Sequence, residues 1–378
     1  MTIEMNTPTR VFLGPGSTKQ LSNALRGMGQ RCLLVTGSTS AAQSGALAAV
    51  QEQLNKLRIN TTVYNSVQAE PTVDDVERGV ELVRGGTDLI VAVGGGSAID
   101  TAKAVSASLA LGPAPALVGR TLDDDVALTP IVAVPTTAGS GAEVTKGAII
   151  IDSSRNLKSG IRGNSLIPRV AVVDPAWLPS MPQAVAAQTS FDALAHAIEG
   201  FVARRADSIS RMWCRESLQI LRQTLPAIGD GSATPATWAE QARASLLGGF
   251  AVAHASTGYP HRIQQALGGN PSVTSAHGRG LAAVYPAWVD ELYRRLPHEP
   301  MDEVASLLGG IDLRKVVRDL ISRLGLPASL PEMGYTAAHV EIAQNTLGGN
   351  LENDPLSQTE HASLETVLMG ALSTGGQP

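Results

Sequence analysis

Very little of this 378-residue sequence is aromatic, and little of it is charged. Aromatic residues make up 3% and charged residues 17%, where an average globular chain carries about 25% charge. Only two cysteines occur, Cys32 and Cys214. That excludes a disulfide framework and makes a reducing cytoplasm the expected compartment. No basic block exists: 29 Lys and Arg face 34 Asp and Glu, for a net charge of −5. A grip on nucleic-acid phosphates is therefore not expected. Apolar runs such as Leu89–Val93 are strand-sized, far short of the roughly 20 residues that span a bilayer, so no membrane partner is expected. The start, Met1-Thr2-Ile3-Glu4-Met5-Asn6, lacks the basic and apolar regions of a secretory signal. Also missing are internal repeats, low-complexity tracts, the G-x-G-x-x-G fingerprint and a Walker lysine pattern.

What is present is aliphatic: 43% hydrophobic residues, punctuated by 38 glycines and 22 prolines. The length suits two domains. In the first half, short β-branched runs (33–35, 61–64, 89–93, 131–134, 148–151 and 170–173) alternate with helical segments at 41–57, 73–84 and 98–111. Regular alternation predicts βαβ units and a mainly parallel sheet, and strands apolar throughout predict burial on both faces. Turn chemistry at Asp174-Pro175 and Leu178-Pro179 ends the pattern. Beyond Pro182 the apolar spacing is helical only, over 184–202, 208–224, 236–255, 301–308, 313–324, 337–347 and 357–372. The reading is an α/β domain over 1–180 followed by an all-α domain over 181–378.

Chemistry collects in three places. Gly94-Gly95-Gly96-Ser97 follows the strongest strand and opens a helix. Bare backbone amides at such a helix start suit a phosphate, and a tight βα turn is the plainer alternative. Pro135-Thr136-Thr137-Ala138-Gly139-Ser140-Gly141 follows the next strand, with hydroxyls free for phosphate or ribose or for the local backbone. Both loops leave C-terminal strand ends, where open α/β sheets bind ligands. In the helical half, Asp192 and His196 stand at i and i+4 on one helix face, with Thr189 or Ser190 available as cap. Such a pair is ordinarily a hydrogen bond, but His261 and His277 flank the helix-breaking Gly268-Gly269-Asn270-Pro271, which lets their imidazoles converge. One carboxylate and three imidazoles suit Fe²⁺ or Zn²⁺. His254, His298, His339 and His361 have no comparable setting, and surface positions are expected for the last three.

The stretches Phe12 to Ser17 (FLGPGS), Gly94 to Lys103 (GGGSAIDTAK), Pro135 to Val144 (PTTAGSGAEV) and Phe191 to Gly200 (FDALAHAIEG) resemble the iron-containing, group III, alcohol dehydrogenases over nearly the whole chain. The resemblance implies a Rossmann-like dinucleotide-binding domain, then a helical metal domain, in the two-domain plan shared with dehydroquinate synthase, with metal and substrate in the cleft between them. It implies Asp192, His196, His261 and His277 as ligands of a divalent ion, Fe²⁺ first and Zn²⁺ second. Gly95, Gly96 and Ser97 would hold the pyrophosphate, Thr136, Thr137 and Lys158 would contact the rest of the cofactor, and Gly37, Gly94 and Asp100 complete the implied cofactor-binding set. The implied reaction is hydride transfer between a nicotinamide and a metal-polarised carbonyl or alcohol.

This sequence departs from the family pattern at several points. Gln265 replaces a histidine four residues after His261 and cannot relay a proton. His254 replaces an asparagine, and the stretch before His277 is two residues longer. The proton path is then assigned to water, a cofactor ribose hydroxyl or His254. Gly37 stands where NAD-preferring relatives carry an aspartate, which favours NADP(H), whereas Glu70 stands in place of a cofactor-contacting asparagine. Two enzyme alternatives are a maleylacetate reductase-like oxo-acid reductase, some of which work without metal, and a dehydroquinate synthase-type lyase. A non-catalytic scaffold is a third, at odds with the intact ligand set. Arg262, Arg279 and Trp288 are candidates for an anion-tolerant pocket or for surface and core. A homodimer through an edge strand at Thr9–Leu13 is expected.

Overall fold

The computed structural model describes residues 3–270, 273, 276–359 and 362–373. His361 and Pro271 lie outside that set. The chain divides into two compact units, one of them Glu4–Pro182 and the other running from Gln183 onward.

In the first unit six strands form one parallel sheet: β1 (Arg10–Leu13), β2 (Arg31–Gly37), β3 (Asn60–Val67), β4 (Leu89–Gly94), β5 (Ile131–Pro135) and β8 (Val170–Val173), in the order β1-β8-β5-β4-β2-β3. Alternate side chains of the central strands enter different cores, as a period of two requires. Leu33, Val35, Ile90, Ala92, Ile131 and Ala133 join one. Cys32, Leu34, Val91, Val93, Val132 and Val134 join the other. The helices α1 (Ala46–Lys56), α2 (Val73–Leu82) and α3 (Gly96–Leu111) supply the covering layers, with Val50 and Leu54 on one side and Val76, Ile99 and Val105 on the other. The helix expected over 41–57 is broken: Gly45, at φ +84°, separates Ser40–Gln43 from α1.

The run 148–151 does not enter the parallel sheet. It belongs to β6 (Gly147–Asp152), which pairs antiparallel with β7 (Leu157–Arg162) as a separate hairpin. Under that hairpin Lys103, wholly buried, donates to the carbonyls of Thr145 (2.8 Å) and Gly147 (3.0 Å). Two carboxyls accompany it, Asp100 and Glu143. Desolvation pushes Asp100 up to about 6 and Glu143 up to about 7, and lowers Lys103 to about 8. A raised carboxyl means that the folded chain holds a proton the unfolded chain has already lost. Stability therefore falls as pH rises from the ordinary value of 4.5 through about 7, and stays lost above it. Glu143→Gln should gain on wild type between about pH 5 and about pH 8. Calorimetric melting at the two pH values checks this, and an equal gap at both would show that Glu143 does not titrate there.

The second unit is helical throughout its described residues: α4 (Gln183–Val202), α5 (Ser208–Gly229), α6 (Pro235–Ala255), α7 (Tyr259–Gly268), α8 (His277–Arg295), α9 (Glu299–Leu307), α10 (Leu313–Arg323), α11 (Ala337–Thr346) and α12 (Ala362–Leu372). The helix α4 is buried nearly all round from Ser190 onward, as its apolar sequence requires. Thr189 and Ser190 do not cap it. They lie inside it, and the Thr189 hydroxyl donates back to Val185 O (2.9 Å). No helix among the described residues is long and apolar enough to cross a membrane.

Candidate metal centre and nucleotide-binding loops

The helical periodicity of α4 puts Asp192 and His196 on one face. The start of α7 brings His261 to them, and the first residue of α8 brings His277. Three Nε2 atoms surround one carboxylate oxygen, Asp192 Oδ1: His261 at 3.4 Å, His277 at 3.5 Å and His196 at 3.7 Å. The rings of His196 and His261 stack with centroids 4.6 Å apart. One ligand atom each from Asp192, His261 and His277 lies within 4.8 Å of the others. The side chains of Asp192, His196 and His261 are buried, whereas that of His277 is 30% exposed, so the cluster opens on the His277 side.

These distances exceed those of imidazole–carboxylate hydrogen bonds, which end near 3.2 Å. Asp192 Oδ1 and His261 Nε2 are both buried without a hydrogen-bond partner among the described residues. Donors at about 2.1 Å from a shared tetrahedral centre stand about 3.4 Å from one another. The residues therefore fit a divalent cation better than they fit one another. Electrostatics agree. Burial alone would raise the Asp192 carboxyl, yet the facing imidazoles of His196 and His277 hold it well below the usual range. Burial alone would lower His261, yet Glu199 and Asp192 lift it to about 9. Burial lowers His196. The pocket favours positive charge.

A second layer orients the ligands. Glu199 Oε1 accepts from His261 Nδ1 (2.7 Å), and Gln264 Oε1 accepts from His277 Nδ1 (2.5 Å). Sequence reasoning passed over both residues. For Glu199 a signal existed, since it continues the i, i+4, i+7 stripe of Asp192 and His196. For Gln264 none did, because only the packing of α7 against α8 decides which side chain meets His277.

Other singled-out residues sit elsewhere. His254, on α6, has Nε2 2.7 Å from Asp207 Oδ2 and an edge-to-face contact with Trp213. Gln265 Oε1 accepts from Arg262 Nη1 (2.9 Å), and Arg262 Nη2 donates to Thr257 Oγ1 (2.5 Å). Trp288 is core, its Nε1 donating to Asp354 Oδ2 (3.0 Å), while Arg279 is exposed. His298 is exposed, as expected, but His339 is half-buried and completes the capping box of α11.

In the first unit the loops after neighbouring strands meet. Thr136 N donates to Gly94 O (2.9 Å). A Cβ on Gly95 would come within 3.1 Å of Thr137 Oγ1, and one on Gly96 within 3.0 Å of Ser140 Oγ. Gly94 turns at φ +157°, and a Cβ there would lie 2.8 Å from Ala98 Cβ. No side chain caps α3, whose N-cap is Gly95; the Ala98 amide bonds back to Gly95 O (3.1 Å), and Gly96 N and Ser97 N stand at the helix start. Ser97 spends its hydroxyl on Ala69 O. Next to it Lys158 Nζ pairs with Glu70 Oε2 at 2.6 Å. Gly37 ends β2, and a Cβ there would lie 3.6 Å from Val67 O. Asp100 turns inward, accepting from Ile149 N (2.9 Å), and so anchors the hairpin.

The first unit thus carries a Rossmann-like sheet, and the second a carboxylate–imidazole cluster able to hold a cation. Residues 8–175 match the family described as iron-containing alcohol dehydrogenase, and residues 186–371 match that family's C-terminal part. The chain is 30% identical to choline dehydrogenase of Bacillus subtilis (strain 168), over 88% of this chain and 86% of that one. It is likewise 30% identical to the probable alcohol dehydrogenase EutG of Escherichia coli (strain K12), over 88% and 85%. A solved alcohol dehydrogenase from Oenococcus oeni superposes with a TM-score of 0.87 at 26% identity, covering 98% of this chain and all of that one. This chain belongs to the iron-containing alcohol dehydrogenase family. It is a metal-dependent alcohol dehydrogenase, and neither the lyase nor the oxo-acid reductase reading is favoured.

Proposed function

We propose that Asp192, His196, His261 and His277 hold one divalent ion, Fe²⁺ in preference to Zn²⁺, and that the enzyme interconverts small alcohols with their aldehydes or ketones using NADP(H) in preference to NAD(H). The carrying observation is Asp192 Oδ1, buried without a hydrogen bond at 3.4–3.7 Å from three imidazole nitrogens. When bound, the ion draws charge from the substrate oxygen and the nicotinamide carries the hydride. The chain's own part is to hold and orient. Asp192 supplies the fixed negative charge. Glu199 and Gln264 take the Nδ1 protons of His261 and His277, which leaves both Nε2 lone pairs turned to the site. The open side at His277 admits substrate, and the buried walls at Asp192 and His261 exclude water. Gln265, held by Arg262, is a hydrogen-bonding group for substrate and not a proton relay. The pairing of His254 with Asp207 leaves water or a cofactor ribose hydroxyl as the better-supported proton source.

The dinucleotide reading assigns nucleotide binding to 1–180 and metal and substrate to 181–378. It rests on the uncapped α3 start, with Gly94, Gly95 and Gly96 giving backbone access and Thr136 and Thr137 beside them. Lys158 would meet cofactor phosphate once Glu70 gives way. The NADP(H) preference rests on Gly37, which puts no carboxylate beside a ribose 2′-phosphate. A cytoplasmic homodimer completes the proposal, supported by the buried free cysteines and by β1 at the sheet edge.

The test strips the protein with a chelator, reloads it with Fe²⁺ or Zn²⁺, and assays aldehydes, ketones and oxo-acids with NADPH and NADH. Activity should vanish on stripping and return on reloading, with net cofactor oxidation and a lower KM for NADPH. No turnover with either metal would overturn the metal assignment, and a lower KM for NADH would overturn the cofactor preference alone.

A further inference from the structure

The helix α7 begins without a side-chain cap of its own, because its N-cap is Gly258. Buried carboxylates from two distant segments take its first amides. Glu199 Oε2 accepts from Gly258 N (2.7 Å), and Asp354 Oδ2 accepts from Tyr259 N (2.6 Å). The fit leaves no slack: a Cβ on Gly258 would lie 2.5 Å from Asp354 Oδ2. Glu199 is 1% exposed, and its other oxygen is the one that meets His261 Nδ1. Tyr285, through its hydroxyl, donates to that same oxygen (3.3 Å) and to Ala195 O (3.1 Å). One carboxylate thus grips both the Gly258 backbone at the start of α7 and the His261 ring three residues later.

We propose that Glu199 is the positioning residue for the third metal ligand. By accepting the Nδ1 proton it fixes the His261 tautomer with the Nε2 lone pair beside Asp192. By accepting from Gly258 N it sets the height of α7 along α4. Asp192, His196 and Glu199 fall at i, i+4 and i+7, so a single helix face supplies two ligands and orients a third. This inference rests on the metal reading of the site and adds the group that prepares it.

The substitution that separates positioning from helix capping is Glu199→Gln. Its carbonyl oxygen still accepts from Gly258 N, so the cap survives. Its amide then offers N–H to His261 Nδ1, which forces the ring proton onto Nε2 and blocks the lone pair. Zn²⁺ affinity, measured by competition with a chelator, should fall by about 10- to 100-fold. Far-UV circular dichroism of the metal-free variant should match that of metal-free wild type, as expected if α7 keeps its start. In zinc-loaded wild type, imidazole ¹⁵N NMR should show His261 protonated at Nδ1 in slow exchange with water. Wild type that binds no Zn²⁺ would sink the metal reading itself. Wild type that binds while Glu199→Gln binds equally well would sink only the role given to Glu199. Should the variant fail to fold, the NMR signal decides, and a His261 lacking the Nδ1 proton in zinc-loaded wild type overturns the proposal.

Discussion

Asp192→Ala should lose its metal and about 10³-fold or more in kcat/KM, the equivalent of the several kcal/mol that a Lewis acid gives to a developing oxyanion. The effect exceeds that expected for any single histidine, because Asp192 Oδ1 is the one atom next to all three Nε2 positions. Removing it also takes away the one carboxylate that faces the buried rings of His196 and His261 and the partly exposed ring of His277. Metal content by emission spectrometry and kcat/KM on the same preparation provide the check. A variant that keeps stoichiometric metal and activity within tenfold would remove Asp192 from the site.

Gly278→Ala should be nearly as damaging, although it adds only a methyl group. A Cβ at Gly278 would stand 2.1 Å from Gln188 O and 2.7 Å from Gln188 C. Both atoms are backbone in the interior of α4, so neither can turn aside. The start of α8 must retreat by roughly 1 Å or more to reach ordinary contact. His277 precedes Gly278 and retreats with it, while a working site tolerates about 0.5 Å. The expected result is a loss near 10²-fold in kcat/KM with weaker metal binding, and a stability loss of about 1–3 kcal/mol from overpacking. Chelator competition and thermal melting test the two parts separately. Unchanged metal affinity would show that α8 absorbs the methyl without moving His277.

What the sequence made legible was what local spacing encodes. The β-branched runs at 33–35, 89–93 and 131–134 became strands because both their faces are apolar, and that pattern reads directly. Asp192 and His196 were readable because four residues make one helical turn. The hairpin strand β7 escaped notice because Lys158, Ser159 and Gly160 interrupt any apolar alternation. They lie in a two-stranded ribbon that carries the Lys158–Glu70 ion pair, and on this strand Ile161 joins the core. Trp288, left open between pocket, surface and core, is core for a reason no local window contains. Its partner Asp354 lies 66 residues downstream. Gln264 and Asp354 were invisible for the same reason: each acts across a helix contact that only the folded unit creates. His254 shows the converse, a histidine whose departure from the family pattern drew attention and whose ring is occupied by Asp207.

The fastening of α7 has a consequence for the order in which this enzyme is made. Asn353 Nδ2 donates to the carbonyls of Ala255 (2.8 Å) and Thr257 (3.0 Å), and its neighbour Asp354 takes Tyr259 N. All four proposed ligands have been synthesised by residue 277, yet the brackets that hold one of their helices arrive more than seventy residues later. A nascent chain on the ribosome therefore carries every coordinating side chain long before it has a finished cradle. With the proposed ligand set, a product cut short before Asn353 would carry His261 on a helix start that lacks its Asn353 and Asp354 contacts.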